Sequence, residues 1–467
     1  MTKNSTTDFY DSATVAAANA TADAAIQDLL SSSNQSRGVV VTAPAGAGKS
    51  HLIAKAVDKV RAEGRRVAVA APTNEQAFGL VRTIAKMHCS GHADRMVSFV
   101  PASSVALPEL ICKLDGVQQV KAKDANAEEL IVGTLSKFGD AFGRGDLHPF
   151  DVLLIDEAYQ ADSAKYFAVG GLAPVHMLVG DAGQISPFAA MVDPARWRGL
   201  PEDPLQTAVG VLLRNHPSTP VYGLPITRRL DQRGAPVAKL FYPQLAFNAA
   251  VLSGVRSLEL TQKGGKCGDL DPILDNAADH GWAYAELPRR AVLQADPEAM
   301  GLIVDLVERL FERTPHVQCE RTTETSPLRP ERVAVGVCHN DQKDQLRIRL
   351  QQRGLSGVVV ETANKLQGLE FEVVFVWHPL AGLLEADEFH LDPGRLCVLL
   401  TRHRQACVVV GREGDPDLLT DRPPPPTAGY LGHDFDPLLD GWEVHQAVYA
   451  ALEEHRIGWN STETSLF

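Results

Sequence analysis

The sequence predicts an α/β protein of two tandem domains, each with a mostly parallel sheet, followed by a short C-terminal extension. Three observations predict it. Short, wholly apolar runs alternate with amphipathic stretches from Gly38 onward, and a second series of the same kind begins past Pro204. The 467 residues, 45% hydrophobic and 22% charged, are enough for two properly cored domains. A strand of a parallel sheet is covered by helices on both faces, so it reads as an unbroken apolar run rather than an alternating one.

Taken in order, residues 1–37 read as a lead-in, with an Ala-rich helix over 16–30 that stops in the Ser/Asn/Gln loop 31–36. The first domain is expected over 38–203, with strands at 39–42, 67–71, 152–155 and 177–179. The second is expected over 204–420, with strands at 333–337, 358–360, 373–376 and 407–410 and a helix over 298–313. The Pro-rich run 423–426 closes it. The extension 421–467 then holds this linker and a helix around 442–455, which either packs back on the body or binds a protein partner.

Composition narrows the function classes. A net charge of -13 means that a nucleic-acid partner must be gripped by a local basic groove and not by the overall field. Seven cysteines without a C-x-x-C pair argue against a disulfide framework and fit reduced thiols in the cytoplasm. His88-Cys89-Ser90-Gly91-His92 has the look of a zinc corner but lacks a second paired half. No stretch approaches the roughly 20 apolar residues needed to span a bilayer, so no membrane partner is expected.

Ala43-Pro-Ala-Gly-Ala-Gly-Lys-Ser50 follows an expected strand and precedes a helical pattern over 51–63. That context makes a glycine-rich string a phosphate cradle, here of residues Pro44, Ala45, Gly46, Ala47, Gly48, Lys49 and Ser50. Gly46 and Gly48 let backbone N–H groups point inward, Lys49 reaches the β and γ phosphates, and the Ser50 hydroxyl ligates Mg²⁺. Asp151-Val-Leu-Leu-Ile-Asp-Glu-Ala158 delivers two carboxylates to the C-terminal end of a strand, where open α/β sheets place their ligands. Asp156 suits the Mg²⁺ holder, and Glu157 beside it the group that orients or deprotonates the attacking water. Together the two motifs indicate ATP or GTP hydrolysis.

Asp156-Glu-Ala-Tyr-Gln-Ala-Asp162 followed by Leu178-Val-Gly-Asp-Ala-Gly-Gln-Ile-Ser-Pro187 resembles motifs II and III of the superfamily 1 helicases. Ala71-Pro-Thr-Asn-Glu-Gln-Ala77 and Val132-Gly-Thr-Leu-Ser136 look like the motifs that contact the nucleic-acid backbone. Leu224-Pro-Ile-Thr-Arg-Arg-Leu230, Glu361-Thr-Ala-Asn-Lys-Leu-Gln-Gly-Leu-Glu370 and Arg395-Leu-Cys-Val-Leu-Leu-Thr-Arg-His-Arg404 look like motifs IV, V and VI. The resemblance runs from about Gly38 to Gly411 in the family's order.

What the resemblance implies is two RecA-like P-loop domains, ATP and Mg²⁺, and single-stranded DNA or RNA as the partner. It assigns γ-phosphate sensing to Gln184, γ-phosphate ligation to Arg229, the arginine finger to Arg402 and a nucleotide contact to Glu370. Thr73, Thr134 and Thr362 become the nucleic-acid contacts. The motif style is closest to the nonsense-decay and Senataxin-type branch. Two departures stand out: no adenine-reading glutamine motif precedes Gly38, and Arg228 occupies a position where that branch has an aromatic. Trp197 either stacks on a base or covers a domain boundary, and Lys113, Lys121 and Lys123 are either a phosphate-touching patch or a solvated face. The expected function is an ATP-dependent helicase or translocase, with an ATP-driven switch or assembly subunit regulated by a protein partner as the alternative.

Overall fold

The computed structural model describes residues 9–31, 36–102, 105–185, 187, 197, 200, 203–265, 268–292, 295–320, 322–421 and 437–459. Cys267, the Pro-rich run 423–426 and the residues flanking Trp197 lie outside the described residues. The chain forms two compact units, one of Ala16–Ala182 with Ser186–Ile226, the other of Met1–Val15, Gly183–Ile185 and Thr227–Phe467.

The first unit carries β1 (Gly38–Thr42), β2 (Val67–Ala71), β3 (Val97–Val100), β4 (Val117–Gln119), β5 (Leu130–Thr134), β6 (Val152–Ile155), β7 (Val175–Gly180) and β8 (Val221–Gly223). They form one sheet in the order β4-β3-β5-β2-β6-β7-β1-β8, parallel at every pairing. β1, β2, β5, β6 and β7 are buried along their whole length, as a sheet covered on both faces requires. The helix Lys49–Ala62 buries Leu52, Ile53, Ala56, Val57 and Val60, one stripe at helical spacing, and turns Lys59 and Arg61 in its last turn toward its negative end.

The second unit begins with the paired β9 (Ile226–Asp231) and β10 (Asn248–Val251), to which Tyr10 adds an antiparallel bridge at Val251. Its remaining strands are β11 (Ser257–Glu259), β12 (Trp282–Leu287), β13 (His316–Cys319), β14 (Thr322–Pro327), β15 (Val333–Val337), β16 (Val359–Thr362), β17 (Phe371–Trp377), β18 (His403–Arg412) and β19 (Arg456–Gly458). Six of them make a parallel sheet, β16-β15-β17-β18-β12-β19, and β11, β13 and β14 a small antiparallel one. The helix Pro297–Glu312 packs its Ile303, Leu306, Val307 and Leu310 into the core of this unit. Buried ion pairs bind distant segments: Arg412 holds Asp296 at 2.7 Å, and Glu320 lies between Arg256 at 2.8 Å and Arg404 at 2.6 Å.

Two expected boundaries are corrected. The units part at Ile226 and not between 203 and 204, because Val221–Gly223 pairs with Val40–Thr42 and so belongs to the first sheet. The described part of the segment 421–467 does not stand apart: the helix Pro437–Leu452 buries Val448, Tyr449 and Leu452 in the core of the second unit, and β19 pairs with β12. The lead-in helix spans Ser12–Ser31 and joins the first unit from Ala16.

Candidate nucleotide site and nucleic-acid face

In the first unit, β1, β7 and β6 are consecutive in the sheet, and all three end at the same edge. β1 leads into the loop Ala43–Gly48 and then into the helix that begins at Lys49. The loop turns because Gly46 and Gly48 take φ values of 78° and 95°, a region that costs a residue with a Cβ roughly 1–2 kcal/mol. Gly48 is the residue before the helix, and no side chain caps that end, so the cradle is made of backbone N–H groups and the positive end of a helix.

β6 ends in Asp156 and Glu157, both buried at 5% and 6% exposure. Glu157 has a φ of 51°, in the left-handed region, and its N–H donates to Asp156 Oδ1 at 2.9 Å. The chain then turns hard against β7: Ala158 N–H donates to the Val179 carbonyl, and a Cβ on Gly180 would stand 2.8 Å from the Tyr159 ring and 2.9 Å from the Ala158 nitrogen. Only glycine fits that approach. The Tyr159 hydroxyl meets Thr42 Oγ1 at 2.8 Å, which fixes the carboxylate turn to the strand bearing the phosphate loop.

Lys49 Nζ lies 3.2 Å from Glu157 Oε1. Burial alone would lower the Lys49 pKa, but the nearby charges of Glu157, Asp181 and Asp156 outweigh it and hold the ammonium above its ordinary value. Burial, and then the charge of Glu157, push the Asp156 carboxyl up against the pull of Lys49. Three carboxylates thus face one ammonium at the end of the sheet. Such an excess of negative charge suits a hard cation, and the oxygen donors Ser50 and Asp156 are the residues that would hold Mg²⁺.

The residues assigned to the nucleic-acid track are placed as follows. Thr73 is exposed and caps the helix Asn74–Ile84 in a capping box, its Oγ1 accepting from Gln76 N–H at 3.3 Å. Thr134, 8% exposed, caps Leu135–Gly143 by accepting from Lys137 N–H at 3.2 Å. Both hydroxyls thus have a structural task that residue type alone did not reveal. Thr362 ends β16 in the second unit.

In that second unit Gln184 accepts from Gln367 Nε2 at 3.2 Å, and a Cβ on Gly394 would come within 2.6 Å of the Gln184 backbone. Arg229 donates to the Thr401 carbonyl at 3.0 Å and stands 3.6 Å from Glu370. Arg402 is fully buried, donating to Val398 O and Thr401 Oγ1. Arg404, unassigned by sequence reading, holds Glu320 and lies 3.4 Å from Glu370. In the segment 88–92, which lacks the second half of a zinc site, His88 pairs with Asp58 at 3.0 Å, and Cys89 is buried under Gly116. Among the described residues no cluster of His, Cys, Asp and Glu of metal-binding form is present, and no helix is long and apolar enough to cross a membrane.

Two family models, each described as an AAA domain, match residues 17–191 and 291–414, together well over half of the chain. No curated protein matches it. Among solved structures it is similar to the PRRSV helicase, at 14% identity over 84% of this chain and 54% of that one, with a TM-score of 0.41. It is similar also to arterivirus nonstructural protein 10, a helicase in complex with DNA, at 14% identity over 81% of this chain and 61% of that one, with a TM-score of 0.43. The chain thus spans little more than half the length of either viral protein.

Proposed function

We propose that this chain is a helicase of superfamily 1, an ATP-dependent motor acting on single-stranded DNA or RNA in the cytoplasm. The observation that carries the reading is the cluster of Lys49, Asp156, Glu157 and Asp181 at the ends of three neighbouring strands, under a glycine loop. It suits hydrolysis of a nucleoside triphosphate: a cationic group for the phosphates, an oxygen site for Mg²⁺ and a carboxylate left over to act as base.

In this reading the backbone N–H groups of residues 45–49 bind and orient the phosphates, and Lys49 exchanges its contact with Glu157 for the γ phosphate. Mg²⁺ held by Ser50 and Asp156 would neutralise charge on the β and γ oxygens. Once Lys49 moves to the phosphate, the buried Glu157 carboxylate is left to orient a water and accept its proton. By their motifs Gln184 senses the γ phosphate and can pass that state to Gln367 through their hydrogen bond, while Arg229 is the γ-phosphate ligand, Arg402 the arginine finger and Glu370 a nucleotide contact. Thr73, Thr134 and Thr362 border the strand track.

The experiment is the steady-state ATPase rate with and without single-stranded DNA and RNA, beside Glu157→Gln. Stimulation by one of them, abolished in the variant, supports the motor and identifies its track. Intact basal hydrolysis that neither strand stimulates would sink the motor and leave the protein-regulated switch.

A further inference from the structure

Away from the phosphate loop, the second unit has an open depression of about 280 Å³ at the C-terminal ends of β15 and β16. His339, Asn340, Thr362, Asn364, Phe389 and Arg395 line it. Phe389 is 39% exposed, although its ring is engaged by two planar groups. The His339 ring lies nearly parallel to it at 5.1 Å with an angle of 23°, and the Arg395 guanidinium carbon sits 3.8 Å from its centroid.

This stack is held in place by bonds that fix its parts. His390 Nδ1 meets Asp387 Oδ1 at 2.6 Å, so Nδ1–H donates to the carboxylate and Nε2 of the neutral ring is left as an acceptor. His339 Nε2 is 3.0 Å from that nitrogen and therefore carries the proton donated to it. Asp387, His390 and His339 form a chain with one consistent set of tautomers, and it clamps the imidazole flat on Phe389. Arg395 is fixed in turn by donating to the Phe389 carbonyl at 3.1 Å and reaching Asn364 Oδ1 at 3.5 Å.

We infer that this depression is a stacking subsite for one nucleobase of a single strand, with the His339, Phe389 and Arg395 planes as the platform and the Asn340 and Asn364 amides at its edge. The inference rests on the single-strand reading above and adds a residue-level contact to it. A flat neutral base suits the place better than a phosphate does, because the carboxylates of Asp387 and Asp392 stand around it and already engage His390 and Arg395. Stacking needs no particular base, so the subsite grips sequence-tolerantly and would add about five- to hundredfold in affinity. Thr362 at the same rim would lie beside the sugar–phosphate chain that carries the base.

The test is equilibrium binding of the full chain to an oligothymidylate or an oligouridylate, whichever it holds more tightly, and to an abasic strand of the same sugar, length and charge, for the wild type, Phe389→Ala and Phe389→Tyr. The wild type is expected to prefer the base-bearing strand. Phe389→Ala should lose about tenfold on that strand and nothing on the abasic one, and Phe389→Tyr should keep the preference. Equal loss on both strands, or no loss on either, overturns the subsite. A wild type that binds both strands alike also overturns it but leaves the single-strand reading standing, whereas one that binds neither overturns both. The abasic strand reports any general damage from the substitution, and Phe389 is exposed enough for its truncation to spare the core.

Discussion

The main sheets of the two units are of one kind, parallel at every pairing between their strands, yet the ends of those two sheets carry opposite chemistry. The first ends in a glycine loop, a lysine and three carboxylates, suited to phosphates and a hard cation. The second ends in imidazole, phenyl, guanidinium, amide and hydroxyl groups, suited to a flat, weakly charged ligand. A parallel sheet aims every crossover loop at one edge, so that edge is a site in both units by construction. What the site does is decided by a handful of residues placed at the strand ends and not by the scaffold.

The largest effect should come from breaking the hydrolytic edge. Glu157→Gln keeps the shape and removes the base, so kcat for ATP should fall by about 10²- to 10⁴-fold while ATP still binds. Single-turnover hydrolysis beside nucleotide binding checks this, and an unchanged kcat would remove Glu157 from the chemistry. Next comes the frame of the second edge. Arg412→Leu leaves Asp296 buried without its cation, at a cost of about 3–5 kcal/mol. Denaturant unfolding should show the second unit's transition moving while the first unit's nucleotide binding stays in place.

A pH titration sharpens the contrast further. Burial opposes ionisation of Glu320, but its hydrogen bond to Arg256 and the charges of Arg256 and Arg404 prevail and hold the carboxyl at about 2, below the usual 4.5. A depressed carboxylate stabilises the folded state above the unfolded value and stops doing so as the pH falls through the folded one. The second unit should therefore lose stability from about pH 4.5 down toward 2, and Glu320→Gln should flatten that limb in acid melts. The smallest effect belongs to Thr73→Ala. If its hydroxyl only caps the helix, stability falls by about 1 kcal/mol and affinity for a single strand is unchanged, whereas a phosphate contact would weaken binding as well.

Both sheets were legible because their central strands are continuous apolar runs, and 67–71, 152–155 and 333–337 were read to the residue. The phosphate loop and the Asp156–Glu157 pair were legible because one short segment carries each of them. β8 escaped because Val221-Tyr-Gly is too short to show a pattern, and missing it put the boundary at 203/204 instead of Ile226. β12 escaped because its Trp-Ala-Tyr-Ala-Glu-Leu mixes alternation with burial at a central position in the sheet. The stack of His339, Phe389 and Arg395 draws on segments about 50 residues apart, a separation only the fold closes. The burial of Arg402 and Arg404 likewise depends on tertiary packing, since a Thr-Arg-x-Arg string reads the same whether its guanidinium groups point to solvent or into the core.

Glu157 occupies a backbone conformation that glycine adopts freely and other residues adopt at a cost of about 1–3 kcal/mol. Glycine there would release the strain but leave the buried Lys49 ammonium without the carboxylate 3.2 Å away, so a single residue carries both a backbone cost and the charge that offsets it. A screen for durability alone therefore has no easy exit at this position, and the strain is held in place by the same side chain that the proposed hydrolysis uses.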